Sequence, residues 1–298
     1  MLNFKKITLE DIKKITPFLR MQEYGTCDFT QLGIFMWKDC FCYEYAIEKD
    51  ILFLRSNYHD KGLSEYFLPI TTKDRIEEGI DLIVSNETDK EIIFQAVPES
   101  YRSYLEKYEY IESRNLREYA DYFYPASALA TLTGKKYNKK RNLIHQFLNQ
   151  YPNYKLVPID KDNINTVIEF HRKNRATSEE TFLEKYENDL VDVVLNNYDS
   201  FSLAGGVLLV NDSLTAFSIG EIIGDCLYVH IEKGDRLYKG VFQVLNWAFL
   251  NEQLKKYPNI TIVNREEDMG DEGLRQAKMS YFPELINKYR EIISNEKR

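Results

Sequence analysis

The sequence contains no apolar stretch approaching the roughly 20 residues that span a bilayer. Its first residues, MLNFKKITLEDIKK, lack the apolar core of a secretory signal. A cytoplasmic location is therefore expected. Cysteine is scarce, with only Cys27, Cys40, Cys42 and Cys226 in 298 residues. The single residue between Cys40 and Cys42 fits neither a CxxC redox pair nor a pair of zinc ligands, so reduced, buried thiols are expected. Histidine is equally scarce, and His59, His145, His171 and His230 show no HExxH-type spacing. Neither a protein-held metal nor a required cofactor is expected. An excess of positive charge is also missing. Lys and Arg number 39 against 47 Asp and Glu, a net charge of −8, which excludes a protein that coats nucleic acid with its whole surface. What remains is 44% hydrophobic and 29% charged, the balance of a globular chain long enough for two domains.

Hydrophobic periodicity gives the organisation. Phe4–Ile7 reads as a short strand, and Thr8 precedes a helix with apolar Leu9, Ile12, Ile15 and Leu19. Phe41–Ile47 and Ile51–Arg55 flank a turn at Glu48-Lys49-Asp50 and predict a hairpin. A strand at Tyr66–Ile70, a helix near Lys73–Val84 and a strand at Ile92–Val97 follow. Pro98 is then placed to start a helix, before a strand at Asp121–Tyr124. The basic segment Thr133–Asn142 leads into Leu143, Ile144, Phe147 and Leu148 at helical spacing, and Pro152 ends it.

The second half predicts a strand at Tyr154–Pro158 and helices around Ile164–Phe170 and Glu179–Leu195. A hairpin of Ser202–Val210 and Leu214–Ile223 turns at Asn211-Asp212-Ser213. A strand at Cys226–Glu232, a helix at Val241–Leu254, a strand at Ile260–Val263, a helix at Glu272–Met279 and a last strand near Leu285–Ile292 complete it. Antiparallel strands followed by strand, loop, helix, strand, helix, strand is the order of a GNAT-type acyltransferase domain, and the first half shows a weaker version. The expected fold is α/β (α+β), with two tandem GNAT-like domains of mixed sheets flanked by helices. The expected division is 1–132, a bridging basic helix 133–152, and 153–298 carrying the active site.

Three segments could carry chemistry. In the first, a strand ends in a loop holding Gly234 and Gly240 before a helix. Free N–H groups at that helix start suit a phosphate, Gly240 lets a ligand approach the backbone, and Arg236 and Lys239 add cationic donors. The acetyl-CoA loop of GNAT enzymes reads Gln/Arg-x-x-Gly-x-Gly/Ala, and here Leu237 and Phe242 depart from it. A plain glycine-containing strand–helix connection is the competing reading. The second segment places Asn264 and Arg265 directly at a strand end, where open α/β sheets hold ligands. Asp268 follows, then Arg275 and Lys278 on nearly one helix face. A solvated helix start competes there. The third is the basic run Lys135, Lys136, Lys139, Lys140 and Arg141, with Tyr137 placed to stack on a base. An ordinary basic surface helix competes.

TLTGKKYNKKRN, FSIGE with VHIEKG, and NREEDMGDEGLRQAK together resemble the bacterial family grouped with the C-terminal domain of phosphatidylglycerol lysyltransferases. The likeness runs the whole chain, including DFTQLGIFMWK near the N-terminus. It implies a tandem GNAT fold related to the Fem-type aminoacyltransferases. Better-known relatives move an amino acid from aminoacyl-tRNA to a lipid headgroup hydroxyl and carry a large membrane domain, which this sequence lacks.

The expectation is thus aminoacyl or acyl transfer, in which an activated ester needs placement and oxyanion stabilisation. Arg265, Arg275 and Lys278 would hold a donor phosphate or carbonyl oxygen. Asn264 stands beside them, and Asp268 would orient the acceptor or take its proton. Gly234, Arg236, Lys239 and Gly240 would seat the donor, and Lys135, Lys136, Lys139, Lys140 and Arg141 would touch tRNA. The donor is aminoacyl-tRNA or, alternatively, acyl-CoA. The acceptor is a small molecule, a peptide or a lipid headgroup. A binding protein on an acyltransferase scaffold is the third alternative. Oligomeric state and contact with membrane lipid are left open.

Overall fold

The computed structural model describes residues 2–57, 64–175 and 182–296. His59 and the predicted start of the helix at Glu179 lie outside them. In chain order the elements are β1 (Lys5–Lys6), α1 (Leu9–Leu19), α2 (Gln31–Trp37), β2 (Tyr43–Glu48), β3 (Ile51–Ser56), β4 (Glu65–Tyr66), α3 (Ile76–Asn86), β5 (Glu91–Pro98), β6 (Tyr110–Asn115) and β7 (Asp121–Pro125). There follow α4 (Ala126–Thr131), α5 (Asn138–Gln150), β8 (Tyr154–Pro158), α6 (Ile164–Asn174), α7 (Phe182–Asn196), β9 (Leu203–Val210), β10 (Ser213–Ile223) and β11 (Cys226–Gly234). The last elements are α8 (Val241–Lys256), β12 (Ile262–Asn264), α9 (Glu272–Met279), β13 (Glu284–Ile286) and β14 (Lys288–Ser294).

Local chemistry explains the best-defined elements. Thr8 caps α1 and exchanges hydrogen bonds with Asp11, a capping box, while Ile12, Ile15 and Leu19 form its buried stripe. Lys49 and Asp50 both adopt positive φ, 51° and 57°, as the two-residue turn joining β2 and β3 requires. Asn211 and Asp212 do the same, at 48° and 64°, between β9 and β10. Pro98 ends β5 rather than opening an α-helix, and the segment after it is a 3-10 helix, Glu99–Leu105.

Two compact units result: Met1–Phe123 with Glu266–Arg298, and Tyr124–Arg265. Among the described residues both sheets have seven strands and mix parallel with antiparallel pairs. The first runs β1-β2-β3-β4-β5-β14-β6. In the second, β11, β10, β9 and β8 follow one another antiparallel, β12 lies parallel to β11, and β7 and β13 complete the set. The boundary between units falls inside β7, whose first three residues pair with β13, Asp121 opposite Ile286. The units therefore depart from the predicted division at 132/133 and 152/153. The reason is β14, which fills the place between β5 and β6 and buries Ile292 and Ile293 there. The single last strand predicted near Leu285–Ile292 is accordingly two strands, one in each sheet.

The thiols also differ from expectation. Cys27 and Cys226 are buried, but Cys40 is half-buried and Cys42 is exposed, with φ 52°.

The first unit has an ionic core. The Lys288 ammonium, wholly buried at the start of β14, lies 2.6 Å from Asp28 and 2.7 Å from Asp121, contacts Glu267, and is 3.8 Å from the Cys27 sulfur. The backbone N–H of Cys27 donates to Asp121 at 2.7 Å. Cys27, Asp28, Asp121 and Glu267 offer ligand atoms within 4.8 Å of one another, the kind of grouping that could hold a metal ion, and the ammonium is bonded to its three carboxylates. Burial disfavours the charge on Lys288, but Asp121, Asp28, Cys27 and Glu267 outweigh it and hold its pKa well above the ordinary lysine value. Burial, helped by Asp28 and Asp121 against the pull of Lys288, pushes Glu267 up to about 8.

Removing the ammonium would leave Asp28, Asp121 and Glu267 buried together without the group that holds them. Lys288→Met should lower stability by about 3–5 kcal/mol in urea unfolding at pH 7. Because the folded pKa of Glu267 is raised, its contribution is complete below the unfolded value of about 4.3 and is lost as pH rises toward about 8. Unfolding curves of Glu267→Gln and the wild type should therefore diverge across that window, with the wild type losing more stability, and run parallel above it.

Candidate active site

In the second unit β11 runs past the end of its partner β12. The parallel ladder between β11 and β12 ends at Tyr228 opposite Asn264, yet β11 continues to Gly234. Beyond that last pair β12 itself has ended and the chain runs on through Arg265. On the other edge of β11, Ile231 faces Ile219 while Val229 faces Gly220, so His230 is an inserted bulge residue. Its ring lies nearly parallel to that of Tyr228.

Directly after β12, Arg265 donates to Glu232 of β11, each side chain only 15% exposed. The other oxygen of Glu232 faces the amide of Asn246 on α8 at 3.5 Å. Asn264 is fully buried at the end of β12. Lys140 is half-buried at the start of α5, and burial together with the charge of Arg265 lowers its pKa to about 8. Arg265 and Lys140, assigned to separate segments on the sequence, are thus close enough to feel each other's charge. Glu232 was missed, because a carboxylate two residues before a strand's end carries no signal until its partner at Arg265 is known.

The glycine loop serves the protein itself. Gly240 caps α8 with φ 89°, and a Cβ there would lie 2.9 Å from the Leu143 carbonyl oxygen and 3.6 Å from Phe147 Cβ, both on α5. The missing side chain admits α5, not a ligand. Tyr238 packs on Tyr151 at the end of α5, and its carbonyl accepts the Val241 N–H at 3.0 Å. At Gly234 a Cβ would meet Ala216 and the Phe242 ring. Arg236 and Lys239 are exposed.

The basic run divides. Lys135, Lys136 and Lys139 are exposed, as phosphate contacts require. Arg141 instead donates to the carbonyls of Leu132 and Gly134 and to Asn138, fixing the approach to its own helix. Tyr137 is 2% exposed and packs inside, so it is no stacking platform.

In the first unit Asp268 is fully buried and saturated. It accepts from Arg275 at 2.9 and 2.8 Å, Arg117 at 3.1 Å, the Tyr122 hydroxyl at 2.5 Å and the Gly270 N–H at 2.9 Å. Burial pushes its carboxyl up, but Arg275, Tyr122 and Gly270 prevail and hold it well below the usual carboxylate range. A carboxylate so poorly basic does not suit the predicted role of proton acceptor. Lys278 is also buried; its ammonium donates to the Glu267 carbonyl and sits 5.6 Å above the Tyr122 ring. Arg275 and Lys278 bind the loop 266–271, where donor contacts were predicted.

Two mixed sheets flanked by helices define the α/β fold of the chain. The chain belongs to the phosphatidylglycerol lysyltransferase C-terminal family, which it matches over residues 20–291. A conserved protein of unknown function from Bacteroides thetaiotaomicron is 30% identical, with 99% of this chain and 100% of that one covered and a TM-score of 0.86. L-PGS from Bacillus licheniformis shares the fold at 13% identity and TM-score 0.64, covering 96% and 92% of the two chains. FemX shares it at 9% identity and TM-score 0.60, covering 99% and 98%. An uncharacterised protein of Mycoplasmoides gallisepticum is 26% identical over 170 residues, and the chain spans about half the length of that curated relative.

If Asp268 is an anchor, its contribution is present above the unfolded carboxylate pKa and disappears as pH falls below it. Asp268→Asn should cost about 2–4 kcal/mol at pH 7. Urea titrations at pH 7 and pH 3 check this, the difference shrinking at the lower pH.

Proposed function

We propose that the chain transfers an aminoacyl group from aminoacyl-tRNA to an acceptor at the opening between β11 and β12. The observation that carries this reading is the early end of the β11–β12 ladder, with Arg265 and Glu232 at its mouth. An aminoacyl ester is already activated, so transfer needs placement and a donor to the carbonyl oxygen as it becomes negative. Arg265 supplies a fixed guanidinium for that oxygen, and the bulge at His230 turns backbone away from its regular pairing in the same stretch. Lys135, Lys136 and Lys139 offer exposed cations for the acceptor arm of a tRNA. Kinship with the phosphatidylglycerol lysyltransferase C-terminal family and the fold shared with FemX support the same class of reaction. Acetyl-CoA as donor is disfavoured by α5, which packs against Gly240 where a pyrophosphate would need the start of α8.

Release of radiolabelled amino acid from charged tRNA to cell-extract acceptors measures the activity. Arg265→Ala should slow it about 100-fold. Changing Lys135, Lys136, Lys139 and Lys140 to Ala should weaken tRNA binding and flatten its salt dependence by roughly 0.7–0.9 in log–log slope for every phosphate no longer neutralised. Stabilisation of the protein by micromolar CoA in a thermal melt, with no effect of charged tRNA, would replace this reading with acetyl transfer.

A further inference from the structure

We propose that the outer edge of β6 is the contact surface for a second copy of this chain, paired with it antiparallel about a twofold axis at Ser113. Among the described residues the two sheets end in β1, β6, β8 and β13. An open sheet edge is a template for pairing, and folded proteins blunt it with short strands, lysine or proline. Three of these edges follow that rule. β1 is two lysines, β13 has three residues, and β8 carries Lys155 and ends in Pro158. β6 does not. It runs six residues, Tyr110–Asn115, with neither Lys nor Pro, and every residue from Ile111 to Asn115 is exposed.

Backbone direction and charge agree on one register. The Leu116 N–H donates to the Lys288 carbonyl at 2.9 Å, so the backbone groups of Arg114 and Glu112 also turn toward β14. Those of Ser113 and Asn115 therefore turn outward. Two copies related at Ser113 exchange a pair of N–H···O bonds between their Ser113 residues. Glu112 of each copy then stands opposite Arg114 of the other, at the closer, non-hydrogen-bonded spacing where cross-strand side chains meet. Sliding to either neighbouring register that keeps outward groups facing sets Glu112 against Glu112, or Arg114 against Arg114. Charge thus selects the one register that yields two reciprocal ion pairs. Within the chain these side chains have no other use. Neither Glu112 nor Arg114 makes an ion pair or a side-chain hydrogen bond among the described residues. Arg114 faces Arg290, a cation already held by two bonds to Glu65 at 3.0 and 2.8 Å. Like charges directly opposed are unfavourable, and a carboxylate from outside relieves them. The same alternation resists strands of other sequence, so the edge discriminates for its own copy. Ile111 is skipped in the register with β14, a bulge that keeps the regular ladder short. The interface falls below the roughly 1,000 Å² of a stable complex, and the dimer is a weak one.

Sedimentation equilibrium of the full chain at low salt tests the proposal. The protein should be half dimeric at about 100 μM, and less so as salt screens the pairs. Glu112→Arg and Arg114→Glu should each weaken the dimer at least about tenfold, because the twofold turns both ion pairs into repulsions. Mixed in equal amounts, the two variants should pair with each other at wild-type strength, since one then offers two cations and the other two carboxylates. The chain with both substitutions should likewise regain wild-type affinity. Both positions are exposed, so the variants should fold normally, and far-UV circular dichroism checks that they do. A wild type that stays monomeric up to about 300 μM overturns the proposal. So does a dimer indifferent to either substitution, which would use another face. Single variants that fail to pair when mixed also overturn it, by showing that the charges do not meet across the edge.

Discussion

One buried ammonium sets the terms for the first unit. Lys288 draws together the turn after residue 26, the start of β7, the loop that follows β12 and the start of β14, segments far apart in sequence. No single carboxylate there could be buried at tolerable cost alone, and neither could the lysine. Together they form a small ionic core whose charges do not fully balance, which is why burial leaves Glu267 reluctant to ionise. The adjoining residue, Asp268, is gripped by two arginines and a tyrosine. The loop with the densest run of charges in the sequence is therefore an anchor.

The second unit uses its polar residues differently. Its sheet is apolar and tightly laddered through β9 and β10, then relaxes where β11 outruns β12. Polar side chains gather at that place: Glu232 with Arg265, Asn264 in the interior, Asn246 and Ser218 beneath α8. There α8 packs close on the sheet, its Phe249 and Phe242 rings seated at Gly206 and Gly234.

Much of this architecture was legible from residues alone. The Thr8 cap, the Lys49-Asp50 and Asn211-Asp212 turns and the long strands β9 to β11 depend on near neighbours in sequence, and the pattern carries that information. Elements that depend on distant partners were not legible. The helix α2 buries Gln31, Leu32, Ile34, Phe35 and Met36 and so shows no one-sided periodicity. The strand β6 is exposed along most of its length and shows no alternation. The same divide governs the candidate site residues. Asn264 and Arg265 were marked by their place at a strand end, a local feature. The role of Glu232 depends on Arg265, 33 positions away, and the commitment of Asp268 depends on Arg117, 151 positions away. Conversely, Gly240 and Tyr137 carried plausible local signals that the packing of α5 turned to structural use.

The position of β14 has a consequence for how the polypeptide acquires its shape. The strands β5 and β6 emerge from the ribosome early, but the strand that joins them is made only after the whole of the second unit. At the usual pace of synthesis the amino-terminal sheet must wait several seconds with an open seam. Pairing across so long a stretch of sequence is slow in any case. A chaperone that shields exposed strand edges would find its substrate in that interval, and a nascent chain stalled before Lys288 would present a sheet ready to recruit a strand from another molecule.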